Sequence, residues 1–233
     1  MILDLHVHSC FSYDSLAKPA EIIRAARRKG LNGIAVTDHD TIAGGLEVLQ
    51  ASDGQLVVIV GAEICTDAGD IIGLFLREEI ESRHGLDVVD EIHRQGGIAV
   101  LPHPFKAHYL SPELIEAIDV IEAFNARCNP EENRKAANLA LLHHKPIVTG
   151  SDAHTCREIG MARVLLRSNN VRQGILACGH ELEGRYTPSY LVSVSQLIKS
   201  VKMARYREAP HRSLSVAVRF LRLRQSRGKT GSG

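Results

Sequence analysis

The stretch LDLHVHS, residues 3–9, decides how this chain is read. Its alternation is that of a β-strand, in which residues i and i+2 share a face. Leu3, Leu5 and Val7 are then expected on one face, with Asp4, His6 and His8 on the other. Two imidazoles on one face of a buried strand are costly unless something binds them. A divalent metal would do so, but a pair of surface histidines would look the same in seven residues. The rest of the chain has to choose.

The chain has 233 residues, 44% of them hydrophobic and 24% charged, which is ordinary for one globular domain. No apolar run approaches the roughly 18 residues of a membrane span, and residue 1 leads straight into a polar-bearing strand, unlike a signal peptide. Five cysteines without CxxC spacing argue against a disulfide framework and a thiolate zinc site. A reducing, cytoplasmic setting is expected. The net charge of +1 hides an asymmetry. From Lys202 onward there are nine Lys/Arg and one acid, Glu208, so the body before it is acidic. The basic segment reads either as a solvated helix face with a frayed end, RQSRGKTGSG, or as a surface for nucleic acid.

Strand-like and helix-like segments alternate from the start. ILDLHVHS, GIAVTDHD, LVVIVGAEI, DIIGLFL, IAVLPHPF, DVIEAFN and PIVTGSDAH read as strands. KPAEIIRAARRKGL, TIAGGLEVLQAS, LDVVDEIHRQGG, SPELIEAI and PEENRKAANLALLHH read as helices, several with Pro near the start or Gly near the end. Short apolar strands between helices predict a parallel sheet buried on both faces, and this number of units predicts a nearly closed β/α barrel. SVSQLIKSVKMARYREA and SLSVAVRFLRLRQ read as two appended helices. The expected layout is a barrel over residues 1–192 and a basic helical extension over residues 193–233.

The strand ends carry the chemistry. Among the twelve histidines, His6, His8, His39, His103 and His154 all fall at strand C-termini. Glu63, Asn125, Arg127 and Asp152 fall there too, and Asp70 opens its strand. In β/α barrels this end carries the functional loops. That concentration decides against surface histidines. Imidazole and carboxylate donors without thiolate suit zinc, manganese or iron, and there are more of them than one tetrahedral ion can use. With Asp14, the set predicts two or three divalent ions and hydrolytic chemistry on a phosphate ester or an amide.

LDLHVHSCFSYDS, AVTDHDT, GAEI, LPHPF and GSDAH, in this order, resemble the PHP (polymerase and histidinol phosphatase) superfamily of metal-dependent phosphoesterases. The resemblance runs over about residues 1–165 and implies a distorted (β/α)7 TIM-like barrel with a trinuclear site. Carried over by position, it implies that His6, His8, Glu63 and Asp152 hold one metal. Glu63 then bridges to a second metal that also takes His103, and Asp14, His39 and His154 hold a third. A hydroxide between two metals would attack the phosphorus, which puts Asp152 and His154 at the reacting centre. Arg127 and Asn125 are the expected substrate-binding residues, with Arg127 either a phosphate clamp, because a guanidinium meets phosphate oxygens bidentately, or a surface arginine at a helix start.

The chain departs from the family pattern in two ways. Many members have a histidine where this chain has Asp70, so Asp70 is either a ninth ligand or a turn residue. Only 32 residues separate Asp70 from His103, too few for the helical insert of the nucleotide monophosphatase branch, and that specificity is not transferred. One of Asp38 and Asp40 is expected to orient His39, and Asp40-Thr41 to cap the next helix. Cys10, Cys65 and Cys156 are read as small packed residues.

The resulting expectation is a phosphoesterase acting on a small phosphorylated substrate or a nucleotide end, with nucleic acid a further partner through the basic segment. Aromatic content of 4% and the lack of Trp supply few stacking platforms for a nucleic acid. The rival is a non-catalytic metal-binding barrel with a structural or regulatory partner.

Overall fold

The computed structural model describes residues 1–106, 108–168, 170–177 and 181–208, the last four without side chains. Seven strands run β1 (Ile2–Val7), β2 (Gly33–His39), β3 (Val57–Thr66), β4 (Gly69–Leu74), β5 (Ile98–Leu101), β6 (Val120–Asn125) and β7 (Ile147–Gly150). Between them lie α1 (Pro19–Arg28), α2 (Ala43–Ala51), α3 (Gly85–Arg94), α4 (Pro112–Ala117) and α5 (Pro130–Leu142). Then follow β8 (Ala162–Leu165), α6 (Val171–Leu176), β9 (Glu181–Gly184) and α7 (Ser189–Glu208). Prolines at the first turn of α1, α4 and α5 start those helices where the missing N–H costs nothing. Asn129 and Glu132 add a reciprocal cap on α5.

The sheet order is β7-β6-β5-β4-β3-β2-β1-β8-β9. It closes at one end only. Beyond β7, Ala153 bridges Val7 in parallel, with His8 N donating to Ala153 O at 2.8 Å and Ala153 N to His6 O at 3.2 Å. The lower half of the same edge of β1 is taken by β8, antiparallel. The sheet is therefore not the all-parallel one expected from the alternation. β3 turns directly into β4 without a helix, and β4 runs antiparallel to both β3 and β5. That reversal carries Asp70, at the start of β4, to the end where the parallel strands finish.

Inward residues of every strand from β1 to β8, among them Leu5, Ile59, Ile72, Ile98, Val120 and Val148, form one apolar plug in the lower lumen. Outward residues pack under the helices: Val60, Ile64 and Ile121 with α3, α4 and α5, and Val7, Ile34 and Val36 with α1. β1 is where the simple alternation fails. Asp4 pairs with Ile34 and Val7 with Val36, so three residues of β1 span two of β2. This bulge turns Asp4 to the helix-facing side, while His6 and His8 line the lumen above Leu3 and Leu5. Asp4 does not share the histidine face.

Asp4 instead ties the seam. It is fully buried and accepts from Ser151 N at 3.1 Å and Gly160 N at 2.7 Å, besides the Ser151 hydroxyl. Burial, partly offset by these donors, lifts its carboxyl to about 6. The C-terminal region differs from expectation in its start and content. β8, α6 and β9 were not foreseen, α7 begins at Ser189, and the second appended helix lies outside the described residues. Among the described residues no helix is long and apolar enough to cross a membrane. Substituting Asp4→Ala strands the buried N–H and hydroxyl of Ser151 and the half-buried Gly160 N–H and is expected to cost about 3 kcal/mol, read as a lower urea midpoint at unchanged slope.

Candidate metal centre

All eight predicted ligands other than Asp70 meet at the closed end of the barrel. Their donor atoms fall into three groups: His8, Asp14, His39 and His154; His6, Glu63 and His103; His6, His8 and Asp152. Glu63 is the hub. Its Oε2 lies 3.5 Å from His6 Nε2, 3.4 Å from His8 Nε2 and 3.2 Å from His39 Nδ1, and its Oε1 lies 2.9 Å from His103 Nε2. Asp152 Oδ1 is 3.4 Å from His8 Nε2 and 3.7 Å from His6 Nε2. Asp14 Oδ2 sits between His39 Nε2 at 3.3 Å and His154 Nε2 at 3.2 Å. His103 and Asp152 adopt positive φ, 28° and 51°, a strained backbone of the kind held in place at functional sites.

Three of the histidines are oriented from behind, which determines the nitrogen left for a ligand. His6 Nδ1–H donates to Glu122 Oε1 at 2.9 Å. His8 Nδ1–H donates to Ser12 Oγ at 3.1 Å, and Ser12 Oγ donates onward to Asp38 Oδ1 at 2.9 Å. His154 Nδ1–H donates to Asp152 O at 2.8 Å. Each arrangement leaves an Nε2 lone pair facing the group. The His6 and His8 Nε2 atoms are 3.1 Å apart. Asp14 Oδ1 and His103 Nδ1 are buried with no hydrogen-bond partner.

The electrostatics also call for a cation. Burial alone would raise the Glu63 and Asp152 carboxyls, yet neighbouring imidazoles hold both well below the carboxylate range. Burial opposes a charge on His39 as well, but Asp14 and Glu63 outweigh it and lift the ring to about 9. His8, desolvated and beside His154 and His39, falls to about 3 and stays neutral. Crowded ring nitrogens, charged carboxylates and orphaned polar atoms fit divalent metal ions.

Other predicted residues are held differently. Asp70 is in none of the three groups; its backbone N and O both meet His108 Nε2, at 3.1 and 2.9 Å. His108, absent from the sequence reading, packs its ring against that of His103 at 5.6 Å. Only glycine fits at Gly69, where φ is 122° and a Cβ would stand 2.2 Å from the His108 ring. Asn125 is fully buried; its Nδ2 donates to Glu122 Oε2 at 2.9 Å and Asp152 Oδ2 at 3.3 Å. Arg127 lies in the wall of the site, its side chain 5% exposed, with Nε 3.1 Å from Glu158 Oε1. Its Nη1 reaches within 2.9 Å of His154 Nδ1, and its Nη2 donates to Ser195 Oγ.

Asp38 does not orient His39. It accepts from Ser9 and Ser12, and so acts on His8 through the Ser12 hydroxyl. Asp40 accepts from Cys65 N and faces Arg83 rather than capping α2, while Thr41 Oγ1 accepts from Ala43 N. Neither Cys10, Cys65 nor Cys156 joins a ligand group. Glu122 was missed, although a lone Glu inside the apolar strand DVIEAFN is a signal that could have found it. Gly150 makes room for it, since a Cβ there would stand 2.2 Å from Glu122 Oε1 and 2.4 Å from His6 Cβ.

The comparisons with known proteins agree with this architecture. The chain is 38% identical over 143 residues to the uncharacterized protein MJ1587 of Methanocaldococcus jannaschii, covering 54% of this chain and 82% of that one. It is 32% identical over 185 residues to MJ0417 of the same organism, covering 74% of this chain and 73% of the other. A solved two-domain protein from Bacteroides vulgatus, described as containing a predicted PHP-like metal-dependent phosphoesterase, has a TM-score of 0.68 at 18% identity. That match covers 84% of this chain and 69% of the other, and it speaks for the fold. The PHP domain family model matches residues 4–169, a span that holds every ligand group described above. With barrel, ligand groups and family model in agreement, this chain belongs to the PHP domain family.

Proposed function

We propose that this chain is a metal-dependent phosphoesterase that hydrolyses a small phosphomonoester or the terminal phosphate ester of a nucleotide. The observation that carries this reading is the convergence of eight imidazole and carboxylate residues into three overlapping donor groups, none with a thiolate. Such donors suit zinc, manganese or iron. His6, His8 and Asp152 would hold one ion with Glu63 beside them, Glu63 and His103 a second, and Asp14, His39 and His154 a third. Divalent ions bound there supply Lewis-acid polarisation of a phosphoryl oxygen and lower the pKa of water towards neutrality.

The protein's own part is orientation and charge. Glu122 fixes the tautomer of His6 and also accepts from His103 N at 2.9 Å, so one carboxylate aligns two ligands. Asn125 holds the Asp152 carboxylate from behind. Arg127 is held in the wall of the site, with Nε 3.1 Å from Glu158 Oε1, Nη2 donating to Ser195 Oγ and Nη1 lying against the His154 ring, which makes it a positioning residue for His154. A cation placed to meet an anionic substrate is Lys106, half-exposed in the loop after β5, with Nζ 3.9 Å from Asp152 Oδ2. Between β4 and β5 there is a loop and α3 but no cap. Selectivity then rests on the phosphate more than on an enclosed leaving group.

The decisive experiment is phosphate release from p-nitrophenyl phosphate, histidinol phosphate, nucleoside monophosphates, 3′,5′-bisphosphates and short oligonucleotides with Mn²⁺, Zn²⁺ or Fe²⁺. Turnover is expected to vanish with a chelator and return with metal. Folded protein that binds metal yet stays silent on every substrate would favour the non-catalytic barrel. Glu122→Gln is expected to lower metal affinity or activity about 10–100-fold, the usual cost of losing a ligand's outer partner. Asp152→Asn should cost more than that, since it removes a donor atom itself. Lys106→Met is expected to raise KM about 10-fold, with kcat nearly unchanged, because a charged hydrogen bond to bound substrate is lost.

A further inference from the structure

Helix α7 turns an unusual face towards the barrel. Leu191 and Ser195 are buried and Ile198, Lys199 and Lys202 half-buried, while Tyr190, Val194, Leu197 and Val201 are exposed. The inward face therefore carries a hydroxyl and two ammonium groups beside Leu191 and Ile198, while four large apolar side chains are left on the outward face. A helix docked for burial alone would be the other way round.

Each of the three polar residues reaches a different ligand of the Asp14, His39 and His154 group. Lys202 Nζ donates to Cys10 O at 2.8 Å, Ser12 O at 2.7 Å and Ser15 O at 2.7 Å. Those carbonyls flank Asp14 on both sides, and with three N–H groups spent, Lys202 has none for substrate. Lys199 Nζ stands 4.6 Å over the Tyr13 ring, and Tyr13 stacks on His39 at 4.5 Å with the planes 7° apart. Ser195, donating its own proton to Val192 O at 2.9 Å, accepts from Arg127, whose Nη1 meets His154. The spacing of these residues, four and then three, is that of one helical face.

We infer that α7 positions the Asp14, His39 and His154 group through Lys202, Lys199 and Ser195, so that occupancy of this metal site depends on a helix outside the family barrel. The family model ends at residue 169, before α7 begins at Ser189. The inference rests on the metal reading above and deepens it. His8, which Ser12 orients, is shared between this group and the His6, His8 and Asp152 group, so Lys202 touches the second group only through that one residue. A perturbation of α7 thus acts first on the ion of the Asp14, His39 and His154 group.

The test counts metal in the full-length chain, stripped with a chelator and titrated with Mn²⁺ while free Mn²⁺ is followed by electron paramagnetic resonance. Asp14→Asn removes a donor of the group and defines the loss of that ion. Lys202→Met is expected to weaken the same ion about 10–100-fold, leave the others in place, and add nothing further in the Asp14→Asn background. Ser195→Ala should act in the same direction, and Ser195→Thr, which keeps the hydroxyl, should restore binding; this pair decides if Lys202→Met does not fold. Full metal content in folded Lys202→Met and Ser195→Ala would overturn the role of α7 while leaving the metal centre standing. So would a uniform loss of every ion. An Asp14→Asn chain that keeps its full metal content would overturn both.

Discussion

Charge that cannot be neutralised by water governs this structure. Glu63, Asp152, Asp14 and Glu122 lie buried at one end of a barrel, with the rings of His6, His8, His103 and His154 buried among them. Uncompensated, a buried carboxylate costs several kcal/mol, and these come within 4 Å of rings whose lone pairs also face inward. The arrangement persists only where positive charge, from protonated imidazoles or from divalent ions, sits among them. Much of the fold can be read as the means of holding that cluster together.

Three devices bring the ligands to one end. The bulge in β1 frees Asp4 for the seam and leaves His6 and His8 in the lumen. The direct β3–β4 turn reverses one strand and forms the wall on the Glu63 side. The Val7–Ala153 bridge closes the barrel where Asp152 and His154 leave β7, which joins the first strand's ligands to the last strand's. Below them the lumen is apolar, so the cluster rests on a dry floor. That floor lowers the local dielectric and strengthens each interaction above it.

Behind the ligands stands a layer that sets tautomers. Glu122 behind His6, the Ser12–Asp38 pair behind His8 and the Asp152 carbonyl behind His154 each hold an Nδ1 proton and leave Nε2 for the centre. The basic end of α7 belongs to this layer in part. In the sequence Lys202 opens a basic run that reads as a solvated or nucleic-acid-binding face; in the fold it turns inward against three carbonyls.

The sequence by itself determined the number and order of the seven barrel strands, the helices among them, and the residues gathered at their ends, because local periodicity and capping leave a signature in every segment. It also supplied eight donors that fall into the three groups, Asp14 from the loop after β1 and the rest because a histidine or acid at the end of an apolar strand has few other reasons to be there. Strand direction at β4, the bulge, the β8–β9 edge and the part played by α7 were decided only in three dimensions. A reversed strand has the same alternation as a parallel one, and a one-residue bulge changes the face without changing the pattern. Glu122 and Lys202 act through partners more than a hundred residues away in sequence, and no local pattern encodes the far end of such a contact.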